Sequence, residues 1–344
     1  MKIAYIFAYF GDGGAEENAI LLAKQAKLAG GKPLFIIDSS LESAKQRIKN
    51  ESFEIVHLPM KSSFNIFKVL GSAIKLKKII KQEKIDIIHS HMLREQSISI
   101  GAKVLGCKFI LIRTFHRFDQ FNWKMKLLLS IYKVFTDAVI SISETMTKYL
   151  NKNGLTTKIH LIKNGVAKIS VNKHEKAIGF MGRLVKEKGI LNFVQSNIDI
   201  FRDNKLIIAG DGPDFANIKY IAKSNKLKIE LVGKITNKRE FYKKISVLVL
   251  PSVTEVLPLV VLEAYSCGLP VVAFDLDSLK GLITKNNGTL IKSFDYEKMG
   301  QESLALLKNQ KSYETVNVAK YNSDYSVEGM WQNTERLYEA LLNG

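Results

Sequence analysis

Short apolar runs recur along the first half of the chain, separated by longer segments of mixed polarity. The runs are Lys2-Phe7, Pro33-Ile37, Glu54-Leu58, Ile85-His89, Phe109-Arg113, Ala138-Ile142 and Ile159-Ile162. Between them, Ala15 to Leu28, Phe64 to Gln82 and Asn122 to Phe135 repeat their apolar residues at helical spacing. Strand-length runs alternating with amphipathic helices predict a parallel, doubly wound α/β sheet of Rossmann type. A polar stretch, Lys168 to Lys176, interrupts the pattern. It resumes with Ile178-Phe180, Leu206-Ala209, Ile229-Val232, Val247-Leu250 and Val271-Phe274. The chain therefore reads as two such domains, residues 1–167 and 168–325. A last helix over about 326–344 carries Met330, Leu337 and Leu341 and is expected to pack back on the first domain. Ligands of open α/β sheets bind at the carboxyl ends of the strands, so a cleft between two such ends is the expected site.

Composition agrees with two globular domains. At 344 residues, 46% hydrophobic and 24% charged, the chain exceeds one ordinary core and has no low-complexity tract. No apolar stretch reaches the roughly 20 residues of a membrane-spanning helix. Lys2 to Phe10 imitates a short signal peptide, but Gly11-Asp12-Gly13-Gly14 follows it, and a first buried strand is the better reading. Cys107 and Cys267 form no CxxC pair, so neither a disulfide framework nor a zinc site is indicated and a reducing cytoplasm is expected.

Charge adds a second feature. The net charge is +18, and residues 1–170 hold 27 Lys and Arg against 13 Asp and Glu, whereas residues 171–344 hold 24 against 20. A basic face of that size attracts polyanions, either nucleic acid or an anionic lipid surface. Phe64 to Lys84 sets Lys68, Lys75, Lys77, Lys78, Lys81 and Lys84 among Phe67, Leu70, Ile74 and Ile80. Trp123 to Lys133 interleaves Lys124, Lys126 and Lys133 with Met125, Leu127, Leu128 and Ile131. Basic amphipathic helices of this kind suit an anionic membrane; ordinary sheet-covering helices share the pattern. No recognised nucleic-acid-binding signature is present.

The chemistry concentrates in Leu250-Pro251-Ser252-Val253-Thr254-Glu255, the following Val256-Leu257-Pro258-Leu259-Val260-Val261-Leu262-Glu263, and Gly268-Leu269-Pro270-Val271-Val272. A strand ends at Pro251, a turn sets Glu255 at its mouth, and Pro258 opens a helix where its missing N–H costs nothing. The helix start offers free amides and a positive dipole end to an anion such as a diphosphate. Upstream lie Gly182-Arg183-Leu184-Val185-Lys186-Glu187-Lys188-Gly189 and Ala209-Gly210-Asp211-Gly212-Pro213.

Together these segments resemble the retaining glycosyltransferases of GT-B architecture, specifically the glycosyl transferases group 1 (family 4), whose E-x7-E motif Glu255 and Glu263 match. The first half resembles the family more loosely, through Gly13-Gly14-Ala15-Glu16, Asp86-Ile87-Ile88-His89-Ser90-His91 and Ser141-Ile142-Ser143. The resemblance implies transfer of a sugar from a nucleotide-sugar, UDP-linked, to a glycan or glycolipid acceptor with retention. The expected setting is bacterial cell-surface polysaccharide, capsule or lipopolysaccharide synthesis, in the cytoplasm or on the inner face of the membrane. Arg183 and Lys188 would take up the charge of the departing diphosphate, Arg with its bidentate fork and Lys as a point charge. Glu255 would contact the transferred sugar, Glu263 the ribose hydroxyls, and His116 the donor sugar. Gly13 and Gly14, with Leu257, Pro258, Leu259 and Val260, would lie against the donor. His89 and His91 are expected to diverge, one into packing and one outward.

No metal or other cofactor is expected. Asp275-Leu276-Asp277 reads as the DxD of a metal-dependent architecture, but it follows a strand of the second domain where the family has an Asp and small residues. The sequence departs from the family at Val256, where a glycine is usual, and at Asp277-Ser278 and Lys280-Gly281. Two rivals remain. A nucleotide-sugar epimerase would use the same pocket without an acceptor, and a basic nucleic-acid-binding protein would explain the charge alone. The full GxGxxG is absent, Glu16 standing at its third glycine, so a nicotinamide dehydrogenase is poorly supported.

Overall fold

The computed structural model describes residues 1–11, 13–38, 40–60, 65–118, 131–155 and 158–344. The chain divides into two compact units: Met1–Gly165 with Val327–Gly344, and Val166–Ser326.

Unit 1 is built on β1 (Lys2–Phe7), β2 (Lys32–Ile37), β3 (Glu54–His57), β4 (Ile87–Ser90), β5 (Ile110–Phe115), β6 (Ala138–Ser141) and β7 (Ile159–Leu161). They form one parallel sheet in the order β3-β2-β1-β4-β5-β6-β7. The central strands are covered on both faces, which is why they read as continuous apolar runs rather than alternating ones. The helix Gly14–Leu28 buries Ala19, Ile20, Leu22 and Ala23 against the sheet, and the returning helix Val327–Asn343 adds Met330, Trp331, Leu337 and Tyr338 to that core.

Unit 2 is built on β8 (Ile178–Met181), β9 (Leu206–Ala209), β10 (Ile229–Gly233), β11 (Val247–Leu250), β12 (Val271–Phe274) and β13 (Gly288–Ile291), all parallel, in the order β10-β9-β8-β11-β12-β13. Alternate residues feed two cores: Ile207, Ala209, Leu248 and Leu250 on one face, Leu206, Ile208, Val247 and Val249 on the other.

In each sheet the strand order reverses once, between β1 and β4 and between β8 and β11. Loops leaving the carboxyl ends of strands at such a reversal splay apart and leave a crevice. The glycine-rich turn after β1 and the residues after β4 stand at the first reversal. The Gly182–Gly189 and Pro251–Pro258 segments stand at the second.

Among the elements that the sequence reading did not name, three show why. The helix Leu93–Val104 buries Glu95, Gln96, Ser97 and Ser99 alongside Ile98, Ile100 and Ala102, so its buried side is mixed rather than a plain apolar stripe. The helix Glu42–Asn50 is strongly polar and short, and β13 is only four residues long. The helix expected over Asn122 to Phe135 lies outside the described residues as far as residue 130; residues 131–135 are helical.

Candidate active site

In unit 2 the glycines of the two upstream motifs mark places where one loop's backbone lies against another. Gly182 N–H donates to Ala209 C=O at 3.0 Å and Leu184 N–H to Asp211 C=O at 2.9 Å. Gly210 adopts φ +138°, and a Cβ there would stand 1.8 Å from the Gly182 oxygen. After β8 the chain makes a 3-10 turn, Lys186–Lys188, closed by Gly189 at φ +67°. A Cβ on Gly189 would lie 2.1 Å from the Pro251 oxygen, and Val253 N–H donates to Glu187 C=O at 3.0 Å. Only glycine permits both the left-handed backbone and the approach.

That approach sets Lys188 on Glu255, Nζ to Oε1 at 2.6 Å, with the two side chains 27% and 10% exposed. Ser278 Oγ donates to the Glu255 carbonyl at 2.6 Å and anchors the turn. Arg183 is exposed and makes no ion pair among the described residues. Val256, where the family has a glycine, is buried and is not among the residues of positive φ, so this turn needs no glycine there.

The helix Leu259–Ser266 starts beside the pair, with Pro258 as its N-cap and Val261 N–H donating to the Pro258 carbonyl at 3.1 Å. The amides of Leu259 and Val260 precede any possible intrahelical acceptor, which leaves them to an outside one; Leu257, half-buried, packs against the core of unit 2. Glu263, one turn on, is buried rather than solvent-facing. Its Oε1 accepts from Lys238 Nζ at 2.6 Å and its Oε2 from the Tyr242 hydroxyl at 2.9 Å. Burial, and then the negative charge of Glu263, hold the Tyr242 hydroxyl well above its usual range, so it stays a donor. Sequence reasoning missed Lys238 and Tyr242. Their i, i+4 spacing on one helix face was a visible signal, but nothing local pointed to Glu263.

Unit 1 brings together three of its histidines. His89 and His91 are two residues apart, and side chains at i and i+2 of an extended chain share a face. The expectation that they diverge is therefore corrected. Both are buried, and their rings stack at 4.6 Å. His91 also meets His116, which follows β5, edge to edge: the ring centres are 5.1 Å apart with planes 24° apart, and His91 Nδ1 lies 2.8 Å from His116 Nε2. His89 is bound at both nitrogens, by the Tyr338 hydroxyl and by Thr114 Oγ1, each at 2.7 Å. Burial, and then the charge of His116, lower the His89 imidazole to about 3; burial, and then the charge of Arg113, lower His116 to about 3. His91 is pushed well below its usual range by burial and by its two neighbours.

The turn after β1 is shaped by two buried carboxylates. Glu16 accepts from Gly11 N–H at 3.1 Å and Glu95 from Ala8 N–H at 2.6 Å. Gly13 caps the helix Gly14–Leu28 at φ −90°, and a Cβ there would meet Glu16 Oε2 at 2.5 Å. Room for the returning Glu16 side chain is thus one reason for glycine at this position. Glu95 was missed, since a buried carboxylate on a polar helix leaves no pattern. Asp275 and Asp277 both face Lys280, whose Nζ lies 3.7 Å and 2.8 Å from their Oδ1 atoms. Among the described residues no cluster of three His, Cys, Asp or Glu side chains could hold a metal ion.

Two parallel α/β sheets with loops of this kind at their reversals are the architecture of a GT-B glycosyltransferase. Residues 12–168 match the family model described as Glycosyltransferase Family 4, and residues 163–323 match Glycosyl transferases group 1. The chain belongs to this glycosyltransferase family and is a glycosyltransferase. It is 26% identical over 362 residues, covering 100% of this chain and 99% of the relative, to a Campylobacter jejuni protein. That relative is named GalNAc-alpha-(1->4)-GalNAc-alpha-(1->3)-diNAcBac-PP-undecaprenol alpha-1,4-N-acetyl-D-galactosaminyltransferase. It is 28% identical over 272 residues, 68% of this chain and 70% of the relative, to the Escherichia coli UDP-Gal:alpha-D-GlcNAc-diphosphoundecaprenol alpha-1,3-galactosyltransferase. The crystal structure of Anabaena HepE in complex with UDP-glucose shares the fold, with a TM-score of 0.82 at 16% identity over 98% of this chain and 100% of that one.

Proposed function

We propose that this glycosyltransferase transfers a sugar from a UDP-sugar to an oligosaccharide on a polyprenyl diphosphate, with retention and without a metal ion. The observation that carries the donor half is the Lys188–Glu255 pair just before the helix Leu259–Ser266, with Arg183 exposed on the loop that carries Lys188. As the bond to the sugar breaks, negative charge grows on the departing diphosphate, and fixed cations and amide dipoles at that point lower the barrier. Glu255, held by Lys188, accepts from a hydroxyl of the transferred sugar in this reading. Glu263, held by Lys238 and Tyr242, takes the ribose hydroxyls. His116 serves a sugar hydroxyl. The relatives support the rest of the reading: both are named for undecaprenol-linked acceptors and alpha linkages, and common UDP-hexoses are themselves alpha-linked.

The test is incubation with UDP-, GDP- and ADP-sugars and a polyprenyl-diphosphate GlcNAc acceptor, with and without EDTA. Transfer from a UDP-sugar that survives EDTA and gives an alpha linkage by NMR is expected. Transfer only with added divalent metal, or only to acceptors lacking the lipid, would overturn it.

A lipid-linked acceptor requires access to a membrane surface, and the helix Ile66–Glu83 suits one. Ser72, Ala73, Leu76, Ile79 and Ile80 form its buried side. On the outer side Ile66, Phe67, Leu70 and Ile74 are 77%, 80%, 45% and 46% exposed, with Lys68, Lys75, Lys78 and Lys81 exposed around and beyond them. No helix among the described residues is long and apolar enough to cross a membrane, and the attachment proposed through this helix is peripheral. Of the second basic segment only Ile131 to Lys133 falls in the described residues. The protein is expected to float with phosphatidylglycerol vesicles and not with phosphatidylcholine, and to be released by salt. Phe67→Asp should weaken binding by roughly ten-fold or more, the worth of one buried aromatic side chain. Equal flotation by the variant would remove this helix from the membrane face.

A further inference from the structure

The contact between His91 and His116 decides which nitrogen of His116 is available to a ligand. A neutral imidazole carries one N–H and one lone pair, and burial keeps both rings neutral. Their 2.8 Å contact, His91 Nδ1 to His116 Nε2, therefore holds a single proton. If His116 Nε2 carried it, the His91 proton would have to sit on His91 Nε2. That nitrogen is buried and meets no hydrogen-bond partner among the described residues. Turning the ring over would give up the His116 contact, and the stacking of Phe7 at 5.0 Å and 11° and of His89 at 4.6 Å and 16° holds its plane. A buried N–H without an acceptor is the rarer and costlier orphan in folded proteins, whereas a buried lone pair is better tolerated. His89 imposes nothing further, since its partners are two hydroxyls that can each donate or accept.

We propose that His91 is a positioning residue: its Nδ1–H donates to His116 Nε2 and locks His116 in the Nδ1–H tautomer. A free histidine side chain prefers Nε2–H, so the stack inverts the intrinsic choice. His116 then offers an N–H donor at the carboxyl end of β5 rather than a basic nitrogen. Its task is to hold a sugar oxygen, not to remove a proton. The consequence for catalysis rests on the proposed reading of His116 as a sugar-contacting group; the tautomer itself does not.

The two are separable by experiment. Long-range 1H–15N correlation spectra of the histidine-labelled protein should show His116 with a protonated Nδ1 and an unprotonated Nε2. His91→Phe keeps an aromatic ring in the stack but removes the donor, and should return His116 toward Nε2–H. His91→Asn, whose amide N–H falls near the position of Nδ1, should preserve the wild-type pattern. In sugar transfer His91→Phe should lower kcat roughly ten-fold with donor KM little changed, the size of one positioned hydrogen bond, and His91→Asn should restore most of it. An Nε2–H tautomer in the wild type, or an unchanged tautomer in His91→Phe, overturns the inference. If His91→Phe does not fold, the wild-type and His91→Asn spectra still decide it. A tautomer that shifts as expected while kcat stays constant upholds the role of His91 and removes His116 from the reaction.

Discussion

Replacing Lys188 by Ala should lower kcat/KM for sugar transfer by roughly a hundred- to a thousand-fold, the usual loss when a fixed charge at a leaving group is removed. Two effects contribute. The departing diphosphate loses a cation, and Glu255, whose side chain is only 10% exposed, loses its counter-ion. An orphaned buried charge is costly in its own right. Lys188→Ala combined with Glu255→Gln therefore belongs beside each single variant: its stability should recover relative to Lys188→Ala, which measures the cost of the orphaned carboxylate apart from the loss of the cation. Arg183→Ala gives the cleaner reading of the same cradle. Arg183 is exposed and without an ion pair among the described residues, so its loss should change stability by less than about 0.5 kcal/mol. The variant should still lose transfer rate and UDP affinity. Wild-type turnover in both Arg183→Ala and Lys188→Ala, measured at saturating and at limiting donor, would dismantle the assignment of this loop to the nucleotide-sugar.

Acid should loosen unit 1 well before it affects unit 2. His89 and His116 stand at about 3 against 6.5 for an unperturbed histidine, lowered first by burial. Because their folded values are depressed, the unfolded chain binds the extra protons as pH falls below 6.5. The stability they contribute is complete above 6.5 and drains away toward 3. Each unit of pH inside that window costs about 1.4 kcal/mol per group. At pH 5 the two histidines together should therefore remove about 4 kcal/mol, and His91 is shifted in the same direction. A loss of that size is a large share of an ordinary domain's stability. Hydrogen exchange, corrected for its intrinsic pH dependence, should show peptides of Met1–Gly165 losing protection between pH 7 and pH 5. Peptides of Val166–Ser326, which contains the single histidine His174, serve as the reference. Equal protection of the β4 and β5 peptides at both values would mean that the stack is not neutral in the folded protein.

How far the site was legible depended on the range of the interactions involved. Arg183, Lys188, Glu255 and Glu263 were singled out through the resemblance of their motifs, and the loop and helix geometry around them is set by residues close in the chain: a glycine that turns left-handed, a proline that opens a helix, a carboxylate one turn inside it. That Lys188 would meet Glu255 needed the fold, since 67 residues separate them. The link is made by two backbones pressing together at Gly189 and Pro251. The apolar neighbours Leu262 and Ala264 made a solvent-facing Glu263 the poorer reading, but its partners Lys238 and Tyr242 reach it from another helix and were not legible. The error about His89 and His91 was different in kind, since strand periodicity alone places them on one face.

The sequence by itself determined the alternation of strand and helix, the pause near Lys168 to Lys176, the returning last helix and the order of the motifs. All of these follow from burial preference and local backbone restriction, which act within a few residues. Tertiary structure alone decided the strand order, the polar buried helix Leu93–Val104 and the pairing of distant charges. It alone also formed the histidine stack that joins β4, β5 and the last helix. Those features arise where a desolvated polar group must find its partner, and the partner is supplied by whichever segment the sheet brings alongside.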